Sequence, residues 1–175
     1  MRNTKTATVR PTLPHAPAWH GSAPIMGSGK TYLYELIGVF CRPRLKNKVS
    51  YPTSSEKAAK VILSLRLPAS AVREFDDMDA YWAPHCVIKR ALTAEQITER
   101  ILGFSKTASV STRTLFLGSD NNVRPIRDLL QRVITTNLDP QCETNATIDY
   151  ESKPLEKVRG DRCQYVAAVL NLIQA

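Results

Sequence analysis

Gly27-Ser28-Gly29-Lys30-Thr31 stands directly before an amphipathic stretch, and residues of those types in that order can hold phosphate. Small residues let successive backbone N–H groups surround phosphate oxygens. A lysine ammonium neutralises β- and γ-phosphate charge, and a hydroxyl at a helix N-terminus binds Mg²⁺. Each of those parts is present, with Lys30 for the phosphates and Thr31 for the metal, while Pro24 occupies the place where the strict phosphate-loop pattern has its first glycine. A Gly-x-Gly-Lys-Ser/Thr string arises by chance in on the order of one chain in a hundred of this length. The competing reading is an ordinary Gly-Ser turn ahead of a helix.

Nucleotide hydrolysis needs a second component: acidic groups at the end of a neighbouring strand, one to hold Mg²⁺ and one to polarise the attacking water. Phe75-Asp76-Asp77 follows the lysine by about 45 residues and offers Asp76 for the metal and Asp77 for the water. A third component is a polar side chain, able to orient that water, on the strand between these two elements. Asn121 and Asn122, after Leu115-Phe116-Leu117, are the candidates, and a turn of Asp-Asn-Asn is the alternative.

These residues require a scaffold. Leu33, Leu36, Ile37 and Phe40 recur at helical spacing and predict a helix that stops near Arg42-Pro43. Ser54 or Ser55 can cap a second helix carrying Ala58, Ala59, Ile62 and Leu65 and ending before Pro68. A strand is expected over Ala71 to Phe75. Thr93 with Gln96 has the capping-box form and predicts a helix through Ile97 and Ile101 to a stop at Gly103. Val110 to Leu117 reads as one strand covered on both faces. Ile126, Leu129 and Leu130 suggest a short helix, Val133 to Leu138 a strand, and Val166, Val169, Leu170 and Ile173 a last helix. Helices alternating with strands imply an α/β fold with a mainly parallel sheet and crossover connections. Residues 1–21, rich in Thr and Pro, read as a flexible arm or a residual first strand, and residues 22–175 as the module proper. Ala16-Pro17-Ala18-Trp19-His20 lacks the β-branched run of a buried central strand, so that strand is expected to be poor or absent.

The chain has 175 residues, 43% of them hydrophobic, which suits one compact domain. Lys and Arg (24) exceed Asp and Glu (16), giving a net charge of +8 that favours a polyanionic partner such as DNA. No run approaches the ~18 apolar residues of a membrane helix, and the start resembles no secretory signal, so the expected address is cytoplasmic. The cysteines and histidines are scattered without zinc-ligand spacing.

Taken in order, Ser22-Ala23-Pro24 with Gly29-Lys30-Thr31, Glu74-Phe75-Asp76-Asp77-Met78, Leu92-Thr93-Ala94-Glu95, Arg100-Ile101-Leu102-Gly103, Thr112 to Gly118 and Asn121-Asn122-Val123-Arg124 resemble a known family. It is the ATPase/helicase module of phage, plasmid and integrative-element primase-helicase proteins, related to AAA+ and superfamily-three helicases. The resemblance runs from about Ser22 to the C-terminus, and the family's loop accepts the proline at position 24. It implies a P-loop NTPase three-layer sandwich, AAA+-like. It further implies ATP and Mg²⁺ as ligands, Asp76 and Asp77 as the acidic pair, and Asn122 (or Asn121) as the sensor. DNA and primase or other replication domains are the implied partners, with assembly into an oligomer or ring. Arg132 matches the second of two arginines commonly found in that place and would reach a neighbouring subunit's nucleotide; Gln131 replaces the first, and Arg127 competes for the role. Asp120 stands where the family has glycine, adding negative charge near the γ-phosphate. Family members are longer, so the chain is expected to be an isolated or truncated module. A nucleotide- or DNA-binding remnant without hydrolysis, or a small P-loop kinase, is the alternative.

Overall fold

The computed structural model describes residues 8–24, 27–41, 46–66, 72–76, 78, 81–119, 123–139 and 152–174. In chain order the elements are β1 (Ala18–Ser22), α1 (Lys30–Cys41), β2 (Lys46–Ser50), α2 (Ser55–Leu63), β3 (Val72–Asp76), β4 (Tyr81–Trp82), α3 (Cys86–Ala91), β5 (Gln96–Arg100), β6 (Thr107–Ser111), β7 (Leu115–Ser119), β8 (Arg124–Pro125), β9 (Val133–Asn137), α4 (Pro154–Gly160) and α5 (Arg162–Gln174), with short 3-10 turns at Arg10–Thr12, Ser64–Arg66 and Arg127–Gln131. Five strands form one sheet in the order β2-β3-β7-β1-β9, and every adjacent pair is parallel. β4 pairs with β8, and β5 with β6 makes an antiparallel hairpin.

A parallel strand is covered on both faces, so alternate side chains must enter two separate cores. Trp19, Val72, Leu115 and Leu117 pack with Tyr34, Ile37 and Phe40 of α1 and with Leu155 and Val158 of α4. Ala18, Phe75, Phe116 and Val133 face the other way, into a larger core with Ala58 and Ile62 of α2, Val87 and Ile88 of α3, Trp82, and Ile97 and Val110 of the hairpin. Phe75 and Phe116 stack across neighbouring strands with ring centroids 5.7 Å apart. The result is the expected α/β architecture, a three-layer sandwich of the P-loop kind.

The first strand departs from the sequence expectation. β1 is neither poor nor absent: it lies between β7 and β9, with Ala18, Trp19, His20 and Gly21 all buried. Its apolar contribution comes from Trp19, buried in the α1-side core, and from Ala18, buried on the other side, while Gly21 leaves room for Tyr34. The segment before it is anchored. Arg10, fully buried, donates from Nε to Thr114 O (3.1 Å), from Nη1 to Leu13 O (2.7 Å) and from Nη2 to Thr112 O.

The helix expected from Thr93 to Gly103 is instead strand β5 followed by the hairpin turn. Ile97 is buried and its neighbours Gln96 and Thr98 are exposed, a period of two, and Ala108 and Val110 of β6 repeat it. The Thr93 hydroxyl turns back to the Lys89 and Arg90 carbonyls, closing α3 instead of opening a helix. The single strand expected over Val110 to Leu117 is two, β6 and β7, because the chain crosses from hairpin to central sheet through Thr112–Thr114, the link that Arg10 holds. The remaining expectations correspond to α1, α2 with Ser54 as its cap (Lys57 N to Oγ, 3.2 Å), β3, the 3-10 turn at Arg127–Gln131, β9 and α5.

Candidate nucleotide site

All five sheet strands run the same way, so β1, β3 and β7 end at one edge, and β7 separates the other two. Two interstrand spacings of ~4.8 Å put the strand leading into the loop and the strand ending in Asp76 about 10 Å apart, with the strand that precedes Asn121 between them. This is the strand arrangement the three-part chemistry requires. Arg132, preceding β9, lies at the opposite edge. Its carbonyl accepts from Ala18 N (2.9 Å), its Nη1 donates to Asp128 O (3.1 Å), and five residues of strand at ~3.3 Å each separate it from its own loop.

Beyond β1 the chain passes Ala23, buried, and Pro24, exposed, to the glycines. Gly27 and Gly29 adopt φ +74° and +83°, a region in which a side chain is strained. A Cβ on Gly29 would meet nothing within 4 Å, so conformation and not crowding demands that glycine. Leu33 N donates to Gly29 O at 2.9 Å, the first bond of α1. The positive end of the α1 dipole therefore opens onto the loop. Lys30 is 9% exposed, and its ammonium folds back to donate to Ser28 Oγ at 3.3 Å. Thr31 is exposed at the same helix start.

Asp76 closes β3. Alternation along the strand puts Val72, Glu74 and Asp76 on the α1 side, and Glu74 is completely buried. The Asp76 carboxylate is ion-paired with Lys48 of β2, which is half exposed. Asp77, Asn121 and Asn122, and Asp120 beside them, lie outside the described residues. Lys48 escaped the sequence reading because Lys46-Asn47-Lys48-Val49-Ser50 is too polar to announce a strand; only its place at the sheet edge makes it one.

The β5–β6 hairpin was equally illegible in the sequence. Its turn exposes Leu102 (51%) and Phe104 (65%) around Gly103 at φ +80°, with Arg100 and Lys106 exposed on either side. Apolar and aromatic tips between cations match the combination of base stacking and phosphate contact used for single strands. Among the described residues no helix is long and apolar enough to cross a membrane.

No protein-family profile and no curated protein matches the sequence. The fold does have solved counterparts. The apo structure of the C-terminal region of NrS-1 superposes with a TM-score of 0.60 over 96% of this chain, at 13% sequence identity. This chain spans 40% of that one. At such low identity the likeness is one of fold: the same α/β arrangement, covering nearly the whole of the present chain.

Proposed function

We propose that the chain is the ATP-binding and ATP-hydrolysing module of a mobile-element DNA replication protein of the primase-helicase kind. The observation that carries this reading is the strand order, which brings the glycine loop with Lys30 and the Asp76 end of β3 to one sheet edge, with β7 between them. In this reading the loop N–H groups and Lys30 bind the β- and γ-phosphates, Asp77 activates water, and Asn122 or Asn121 orients it. The Thr31 hydroxyl and Asp76 carboxylate are hard oxygen donors of the type Mg²⁺ prefers, and would hold it. Bound there, the ion would neutralise phosphate charge as the γ-phosphoryl group leaves. The net charge of +8 and the Leu102–Phe104 hairpin tip support single-stranded DNA as the polymer engaged. Similarity of fold to the NrS-1 C-terminal region supports the α/β architecture on which this reading rests.

The test is nucleotide binding by calorimetry alongside phosphate release, with and without single-stranded DNA. Lys30→Ala should weaken ATP binding by at least ~100-fold, because the ammonium balances phosphate charge that N–H groups alone do not. Asp77→Asn should bind ATP normally and turn over at least ~100-fold more slowly. Unchanged affinity in Lys30→Ala would sink the reading. Binding without turnover in the unaltered chain would leave a nucleotide-binding remnant, and phosphate transfer to a small acceptor would make it a kinase.

A further inference from the structure

We infer that Tyr34 is a positioning residue for this chemistry, its hydroxyl holding the lysine-bearing helix α1 in register with β1 and β7, the strands that lead into the phosphate loop and toward Asn121 and Asn122. The inference rests on the nucleotide reading above. Tyr34 lies one helical turn beyond Lys30 and is 1% exposed. Its hydroxyl donates to the Gly118 carbonyl of β7 at 2.6 Å, and the backbone of Gly21 in β1 also engages it. One side chain thus ties the helix to two adjacent strands of the sheet.

The strands are shaped to accept that hydroxyl. A Cβ on Gly21 would stand 2.7 Å from the Tyr34 oxygen, so any larger residue there would expel it. A Cβ on Gly118 would stand 2.6 Å from Trp82 Cζ3, so β7 is confined from its other face as well. On β3, the buried carboxyl of Glu74 lies two residues before Asp76 on the α1 side of the sheet. Burial pushes the phenol well above its ordinary range, against the Gly21 backbone hydrogen bond and with a smaller push from Glu74, so the hydroxyl keeps its proton and remains a donor to Gly118.

Phenylalanine would keep the place of Tyr34 in the apolar cluster that holds Ile37, Trp19 and Leu117. A buried hydroxyl is costly unless its bonds are made, and here they run to the elements that carry the candidate site. Gly118 is three residues from Asn121, and Lys30 is four from Tyr34, so a small displacement of α1 on phosphate binding reaches the water-orienting end of β7 through a single hydrogen bond.

Hydrogen exchange of the full chain with and without ATP and Mg²⁺ tests the link. ATP should slow exchange in 27–33 and also in 115–119 of the unaltered protein. In Tyr34→Phe the slowing at 27–33 should persist and that at 115–119 should vanish, with kcat lower by about tenfold and KM within about twofold. Slowing at 27–33 with none at 115–119 in the unaltered protein overturns the inference without any variant. So does Tyr34→Phe that melts earlier but keeps both the 115–119 response and kcat. No slowing at 27–33 in the unaltered protein would instead overturn the nucleotide reading itself.

Discussion

The ammonium of Lys48 lies against the Asp76 carboxylate with half of its own side chain in water, and on the proposed nucleotide reading a cation would compete for the same oxygens. An exposed pair of this kind is worth about 0.5 kcal/mol, a factor of two to three in an equilibrium. If Asp76 holds Mg²⁺, Lys48→Ala should lower the Mg²⁺ concentration for half-maximal ATP binding by about threefold, read by titration at fixed ATP. An unchanged midpoint would detach Asp76 from the metal. Cys41, at the buried C-terminal end of α1, makes a different point. Burial pushes its thiol from 9.0 up to about 12, against a smaller opposing effect of Arg162. The folded state therefore binds the proton more tightly than the unfolded one, and the stability this contributes is complete below pH 9 and lost as pH rises toward 12. Between pH 9 and 10 that loss is about 1 kcal/mol, so Tm should fall over this interval, and Cys41→Ala should flatten the fall. The same slope in the variant would assign the loss to other groups.

At the scale of elements, β1 is an interior strand made from Ala, Trp, His, Gly and Ser, of which only Trp favours a strand. Its place depends on neighbours. Ala18 N bonds to Arg132 O, Leu138 N bonds to Ser22 O, and the segment ahead of it is held by Arg10 on the β6–β7 link. Burial brings the Arg10 guanidinium down to about 10, with Arg113 contributing, which leaves it charged at neutral pH and bonded to carbonyls. Arg10→Met should fill similar volume while stranding the Thr112, Thr114 and Leu13 carbonyls. We expect a loss of about 3 kcal/mol and a Tm lower by roughly 6–12 °C in thermal denaturation. A drop under ~2 °C would mean that the segment before β1 contributes little to the fold.

At the scale of the molecule, Arg132 and the phosphate loop occupy opposite edges of the sheet. If Arg132 serves a nucleotide, that nucleotide must lie on another copy of the chain, where such a residue would be worth ~10³-fold or more in turnover. Specific ATPase activity should therefore rise with protein concentration. Lys30→Ala mixed with Arg132→Ala should recover part of the activity that each lacks alone, because one intact composite site can form between them. Activity independent of concentration, with no recovery in the mixture, would remove Arg132 from catalysis and turn attention to Arg127, whose backbone sits at φ +53° on an exposed turn.

What the sequence determined by itself is whatever depends on neighbours along the chain. Gly27, Gly29, Lys30 and Thr31 needed only their order and the helix behind them, since the loop's φ angles and the helix N-terminus are local properties. The α1, α2, β3, β9 and α5 assignments, with their apolar spacing and the Ser54 cap, are local in the same sense. The tertiary structure decided the rest. Thr93-Ala94-Glu95-Gln96 has the pattern of a helix start, but a hairpin resulted because Ile97, Val110 and Ala108 could be buried together only on paired strands. β1 and β2 carry weak strand propensity and are strands because parallel pairing satisfies their backbone against β7, β9 and β3. The meeting of Tyr34 with Gly21 and Gly118, and of Lys48 with Asp76, spans up to 84 positions of chain, and no local rule can see it. Side chains that act across strands are chosen by register, and register exists only once the sheet has formed.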